Sequence, residues 1–393
     1  MRDSWPKVTL GDVADINPEN TDQLRDNDEI TYIDLSSVSS AAGISADLFH
    51  GSYRIAPGRA RRIVRKDDVL ISTVRPYLKG FSMVPQYLDG AVASTGFCVL
   101  RAKRKQILPG LIWAVVGTDQ FVENLMSKAT GSSYPAVRPS DVAAHPIALP
   151  PLAEQTRIVD VMSSVDAYIA ALQQQADDAR SARNGVLHEL LTAGGSSWIE
   201  TTLGEAVNIQ KGKKPPSLGD EATIGQPYLT ADVLRGSAPS QFVPQSALGM
   251  CVQLEEDETV LLWDGAGAGD VFRSTTGVLA STMARLSNKS KASLESRFLH
   301  LAVQAKSPEI KLSCRGTTVP HVSPSALAAT TLLIPPLPEQ KRIVETVTAM
   351  DDVVSATEQA VRVAQELRAG LLSTLLLGEH EIPDTYDRLL GAA

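Results

Sequence analysis

The stretch PPLAEQTRIVDVMSSVDAYIAALQQQADDARSARNGVLHELL occupies residues 150–191, and a second version of it, PPLPEQKRIVETVTAMDDVVSATEQAVRVAQELRAGLLSTLL, occupies residues 335–376. A single offset of 185, from Pro150 to Pro335, aligns Pro151, Leu152, Glu154, Gln155, Arg157, Ile158 and Val159 with Pro336, Leu337, Glu339, Gln340, Arg342, Ile343 and Val344 without a gap. A match of this kind marks an internal duplication. After the prolines the apolar residues recur at alternating steps of four and three: Ile158, Met162, Val165, Ile169, Leu172, Ala176, Ala179, Arg183, Val186 and Leu190. This is a heptad seam, and the second copy repeats it through Ile343, Val347, Met350, Val354, Thr357, Val361, Ala364, Arg368, Leu371 and Leu375. Two seams in one register predict a helix pair, with close approach at the alanine-rich middles. Arg183 answers Arg368, and a buried pair of arginines is expected to fix the register.

The rest of the chain repeats more loosely. SWPKVTLGDVADI (4–16) returns as SWIETTLGEAVNI (197–209), so each unit opens with Trp and then Leu-Gly: Trp5, Leu10, Gly11 and Trp198, Leu203, Gly204. GSSYPAVRPSDVAAHPIALPP (131–151) matches GTTVPHVSPSALAATTLLIPP (316–336) at the same offset of 185. Between these ends lie short β-type runs, ITYIDL, DVLISTV and VASTGFCVL in the first unit and PYLTADV, TVLLW and GVLASTMARL in the second. A helical run follows in each, GLIWAVVGTDQFVENLM and LESRFLHLAVQA. The expected fold is mixed α/β (α+β), with two globular domains, 1–149 and 194–334, each followed by a long helix, 150–193 and 335–378. Residues 379–393 read as a frayed tail. If the helices pair antiparallel, the duplication becomes a pseudo-two-fold, and a helix of about 39 residues is about 58 Å long.

The 393 residues are 43% hydrophobic and 21% charged, as in an ordinary globular protein of two or three domains. The net charge of -8 at first argues against nucleic acid. Its distribution removes the objection: residues 1–150 carry 17 Lys and Arg against 16 Asp and Glu, and 198–334 carry 12 against 13, so the acidity lies in the helical segments. No apolar signal segment opens the chain and LIWAVV is far too short to span a bilayer, which predicts a cytoplasmic protein with no membrane partner. Cys98, Cys251 and Cys314 are scattered, so neither a disulfide framework nor a metal site is expected.

Catalytic motifs are few. Val260–Phe272, VLLWDGAGAGDVF, has the strand-then-glycine character of an S-adenosylmethionine loop, but VFRSTTGV after it reads as strand and turn, so a Gly-rich hairpin is the better reading. No Pro-Pro pair follows Asp or Asn, as an amino-methyltransferase requires, and no phosphate-loop motif is present. The six histidines are isolated and read as surface or capping residues. What remains is basic: Arg59, Arg61, Arg62, Arg65 and Lys66; Arg101, Lys103, Arg104 and Lys105; and Lys211, Lys213 and Lys214. With Arg75, Tyr77 and Lys79 in a Pro-containing loop, these suit phosphate contacts with a few base-reading side chains. The candidates extend to the repeated loops, Ser132, Ser133, Tyr134 and Arg138 against Thr317, Thr318 and His321, and to Gly267 and Arg273 of the hairpin.

Together, the W-x4-LG opening, the G-[ST]-[ST]-x-P loop and the duplicated PPLxEQxRIV resemble the specificity subunit of type I restriction-modification enzymes, over residues 4–378. The resemblance implies two target-recognition domains, each reading one half of a split site in double-stranded DNA, held apart by an antiparallel coiled coil. It implies a subunit without catalytic activity or cofactor of its own. Its partners would be two methyltransferase (modification) subunits that use S-adenosylmethionine, and restriction subunits driven by ATP. The second domain departs from the first in its fewer basic residues and its Gly265–Gly269 loop. The alternatives are a self-contained DNA adenine methyltransferase and a tandem-domain scaffold that binds no DNA.

Overall fold

A computed structural model describes residues 5–40, 43–131, 133–220, 225–290, 293–316, 319–380 and 382–387. The two long helices run from Leu152 to Thr192 and from Leu337 to Leu376. The chain divides into two compact units, Met1–Gln173 with Gln359–Ala393, and Gln174–Glu358. Along the chain the order is domain, helix, domain, helix, and each compact unit holds one globular domain and half of each long helix.

In the first unit, Phe97–Ala102 lies between Ala14–Ile16 and Val69–Ser72, and Phe81–Met83 adds to the latter; all pairings are antiparallel. A second sheet places Glu29–Ile33 between antiparallel Phe49–Ser52 and parallel Val92–Ser94, with Ala60–Ile63 at its edge. The second unit repeats both orders. Met283–Asn288 lies between Val207–Lys211 and Thr259–Leu262, followed by Val271–Arg273. Gly225–Leu229 lies between antiparallel Phe242–Pro244 and parallel Gly277–Leu279, with Gln253–Leu254 beyond. The repeat thus covers stretches whose sequences no longer align.

The shared opening and closing motifs meet in space. Lys7–Thr9 pairs antiparallel with Pro146–Ala148, and Ile199–Thr202 with Thr331–Ile334. A four-residue helix follows each entry strand, started by a Thr whose backbone N–H donates to a carboxylate three residues on, Thr9 to Asp12 at 2.7 Å and Thr202 to Glu205 at 3.0 Å. The glycine after each leucine sits against the closing helix. A Cβ on Gly11 would stand 3.3 Å from the Ala143 methyl, and one on Gly204 only 3.0 Å from that of Ala328.

The glutamine of the duplicated PPLxEQ has an equally physical reason. Gln155 is fully buried; its Nε2 donates to the carbonyls of Gln106 and Pro150 at 2.9 Å, and its Oε1 accepts from Leu108 N at 2.8 Å. Gln340 does the same with Ser293, Pro335 and Glu295, each at 2.8 Å. Each buried amide is satisfied, and each stitches its domain to the start of the helix that follows.

Along the seams, Ile158, Met162, Ile169, Ile343 and Val347 are buried, and Val165, Leu172, Met350 and Val354 are half-buried. Within the first unit Ile158 and Met162 pack with Leu372 and Leu375, and within the second Leu187 packs with Ile343 and Val347, so the helices run antiparallel in both. The two arginines do not face each other as expected. Arg183 Nε donates to Asp351 at 2.8 Å in the second unit, and Arg368 bridges to Asp166 in the first, so each guanidinium has a carboxylate instead of a like charge.

Three other expectations change. The described part of the tail after the second helix is packed: Ile382 is buried, Tyr386 Oη donates to Asp160 at 2.5 Å, and Arg157 makes a two-pronged bridge to Asp387 at 2.7 Å through Nε and Nη2. The run 110–126 is two helices, Pro109–Val116 and Asp119–Met126, broken where Thr118 caps the second by accepting from Phe121 N at 3.2 Å. Two histidines are interior. His145 meets the Phe121 ring edge-on at 4.8 Å, and burial pushes both His145 and His300 down to about 4. Among the described residues, no helix is long and apolar enough to cross a membrane.

Candidate nucleic-acid interface

In the first unit, the strand Val69–Ser72 runs into a loop over residues 73–80 that is laced to the loop over 130–138. Val137 N donates to Thr73 O at 2.9 Å, Arg75 N to Pro135 O at 2.7 Å, and Thr130 and Ala136 exchange bonds of 2.9 Å. Arg75 (φ 49°, ψ 58°) and Lys79 (φ 49°, ψ 43°) are both left-handed and flank a one-turn 3-10 helix, Pro76–Leu78. For a residue with a Cβ this conformation costs about 1–2 kcal/mol, and such strain concentrates where the side chain has work to do. The Arg75 guanidinium lies 4.3 Å over the Tyr134 ring, and its buried Nε has no hydrogen-bond partner. Tyr134, Tyr77 and Leu78 are 66%, 49% and 62% exposed, an apolar tip unusual for a surface loop. Lys79 reaches Asp119 at 2.6 Å.

The second unit builds the same junction from different residues. Val322 N donates to Trp263 O at 2.9 Å, Gly265 N to Pro320 O at 2.9 Å, and Arg315 and His321 exchange bonds of 2.9 and 2.8 Å. Gly265 (φ 115°) thus stands where Arg75 stands, and Gly269 (φ 96°) where Lys79 does. The glycines answer a backbone requirement that the first unit meets with strained side chains. Val271–Arg273 then pairs back on Thr259–Leu262, so the stretch is a hairpin and not a loop opening a helix. Val319, 58% exposed, takes the place of Tyr134. One local cation is Lys211, 2.7 Å from Asp264 and 5.6 Å from the Trp263 ring. Behind the tip, burial works against ionisation of Asp270, but Lys311 and Arg235 at 2.6 Å hold its carboxyl below the usual range. Gly267 packs over Arg235 and Asp270.

The other candidates divide. Ser133 is exposed beside Tyr134, while Ser132, Thr317 and Thr318 lie outside the described residues. His321 is exposed at the second junction, and Lys213 and Lys214 are exposed just after Val207–Lys211. Arg138 is exposed but bonded to Asp141 at the start of the helix Pro139–Ala143, and Arg273 is bridged to Asp257. Arg61 and Arg62 belong to the edge strand Ala60–Ile63 of the other sheet and Arg59 to the turn before it, not to the tip. Arg61 donates to Tyr53 Oη at 3.0 Å, and Arg62 Nε is buried without a partner among the described residues.

Much of the neighbouring basic character is neutralised internally. Arg65 bridges Glu19 at 2.7 Å, Arg104 bridges Asp67 at 2.5 Å, and Arg101 bonds Asp68 at 2.8 Å and also Glu19. Hydrogen bonds from Arg65 and then Arg101 hold the Glu19 carboxyl below its ordinary range. Trp263, Asp264 and Arg315 belong to the second junction and were not singled out from sequence. The signal that would have found them is the step from each strand end to the proline of the exit loop. The two tips offer planar cations, aromatic faces and lysines, the chemistry of phosphate and base-edge contacts.

A family model described as the type I restriction modification DNA specificity domain matches the chain twice, over residues 2–178 and 195–364. The MjaVIII type I restriction enzyme specificity subunit of Methanocaldococcus jannaschii is 31% identical over 179 residues, 45% of this chain and 41% of that protein. The HindI specificity subunit of Haemophilus influenzae is 20% identical over 246 residues, 62% of this chain and 50% of that protein. The chain spans about half the length of these curated relatives. A chain of the solved structure described as "complex assembly and conformational transition of the type I R-M system" matches with a TM-score of 0.63 and 26% identity, covering 96% of this chain and 98% of that one. The type I restriction-modification S subunit from M. genitalium shares the fold, with a TM-score of 0.54 at 15% identity and 97% of each chain covered. Both repeats, each with its junction of strand-end loop and exit loop, are matched by one family model, and the chain belongs to the type I restriction-modification DNA specificity family.

Proposed function

We propose that this chain is the DNA-recognition subunit of a cytoplasmic type I restriction-modification complex, and that each globular domain reads one half of a split site in double-stranded DNA. The observation that carries the reading is the duplicated junction: Arg75 N on Pro135 O in one repeat and Gly265 N on Pro320 O in the other. The same scaffold holds different side chains, as two readers of two different half-sites would. The chain itself performs no chemistry in this proposal. Two methyltransferase subunits supply S-adenosylmethionine chemistry, and restriction subunits supply ATP-driven translocation and cleavage. The hairpin at Val260–Phe272 removes the feature that most favoured a self-contained methyltransferase.

The test is to produce the full chain with its modification subunits and map the methylated motif, then exchange residues 198–333 for the equivalent domain of a relative. One half of the motif should change and the other should stay. A change in both halves, or methyl transfer by the purified chain alone, would overturn the proposal.

A further inference from the structure

We infer that Arg75 reads a guanine in the half-site of the first domain; the inference rests on the DNA-recognition reading above. Three observations converge on this one side chain.

The first is its backbone. Arg75 occupies a left-handed position that the second repeat fills with Gly265, so the side chain is retained where glycine would relieve the strain. The second is its lack of an internal counter-charge. Arg65, Arg101, Arg104 and Arg138 each bridge a carboxylate. Among the described residues Arg75 has none, and its Nε is buried without a partner. A desolvated donor with no acceptor in the free protein is poised for an acceptor that arrives with a ligand.

The third is its orientation. The guanidinium carbon lies over the Tyr134 ring, 4.3 Å from its centroid, and Tyr134 belongs to a loop tied to the Arg75 loop by backbone hydrogen bonds. A cation held over an aromatic ring loses freedom, and a guanidinium offers a planar fork of N–H donors to a partner in its own plane. The O6 and N7 atoms of guanine present two acceptors on one edge in the major groove, matched to this fork. A phosphate contact would ask only for a positive charge and would gain little from a stacked, strained side chain. In the second repeat Gly265 and Val319 replace the stacked pair, so that domain reads its half-site with other groups.

The experiment uses the full chain in complex with its modification subunits and maps methylated adenines genome-wide in a host lacking other methylation. Arg75→Gly copies the residue of the other repeat and removes the strain, and Arg75→Lys keeps the charge without the fork. The wild-type motif should contain a G·C pair in one half-site. Both variants should lose preference for that pair, by roughly 5- to 150-fold, the range for one bidentate contact, with the other half-site unchanged. A wild-type half-site without a G·C pair, or variants that weaken methylation evenly and keep the motif, would overturn the guanine assignment while leaving the DNA-recognition reading intact. A wild-type complex that methylates without sequence preference would instead overturn that reading.

Discussion

Arg183 Nε donates to Asp351 at 2.8 Å, and the offset of 185 residues that relates the two halves of the chain carries this pair onto Asp166 and Arg368, which form the same bridge. One ion pair is thus used twice, with the arginine drawn from opposite helices. The members are unequal: the Arg183 side chain is 10% exposed and that of Asp351 is 47% exposed.

That inequality predicts an asymmetric response. Asp351→Ala strands a buried guanidinium and should cost about 1–3 kcal/mol. Arg183→Leu leaves a solvated carboxylate, fills the seam with an apolar side chain, and should change stability by less than about 1 kcal/mol. The double variant should be more stable than Asp351→Ala alone. Urea unfolding of the four proteins measures the coupling, and strictly additive effects would show that the bridge does not hold this seam.

Acid sensitivity should come from two interior imidazoles. Burial pushes His145 and His300 to about 4, the latter helped by the charges of Arg273 and Arg183. An exposed imidazole titrates near 6.5. Below that pH the unfolded chain takes up a proton at each histidine and the folded chain does not, so stability is full above about 6.5 and falls as pH drops toward about 4. At pH 5 the loss should be on the order of 2 kcal/mol for each. The other repeat names one replacement, since Thr330 answers His145 at the offset of 185, and an apolar Val suits the buried site of His300. His145→Thr with His300→Val should flatten the decline in melting temperature between pH 6.5 and 5. An unchanged slope would place the acid sensitivity elsewhere.

The helices were legible in the sequence because a heptad is written locally, each residue facing others three or four positions away. Gln155 and Gln340 were visible as repeated residues, but their reason was not, because the carbonyls they bind at Gln106 and Ser293 lie nearly fifty residues upstream. The internal pairing of the basic clusters was hidden for a similar reason. Glu19, which neutralises Arg65 and Arg101, is far from both along the chain. The Arg75 loop was identified from its composition. Its left-handed backbone and its stack on Tyr134 depend on tertiary contacts across about sixty residues, which no window of sequence contains.

On the proposal that the long helices set the spacing between half-sites, lengthening them should lengthen the unspecified spacer in the DNA motif. Four residues inserted in the first helix alone, near Ala179, would add about 6 Å but would force a stutter against an unaltered partner. The paired bridges suggest a cleaner variant. Inserting four residues between Gln174 and Gln175, and four more between Gln359 and Ala360, leaves Asp166 with Arg368 and Arg183 with Asp351, each on its own side of the insertion. At roughly 3.4 Å per base pair, 6 Å should add one or two base pairs to the spacer. Both half-site sequences should persist, because neither junction is touched. The measurement is the methylated motif of the double-insertion complex, and a spacer of unchanged length at full activity would show that something other than the helix pair fixes the geometry.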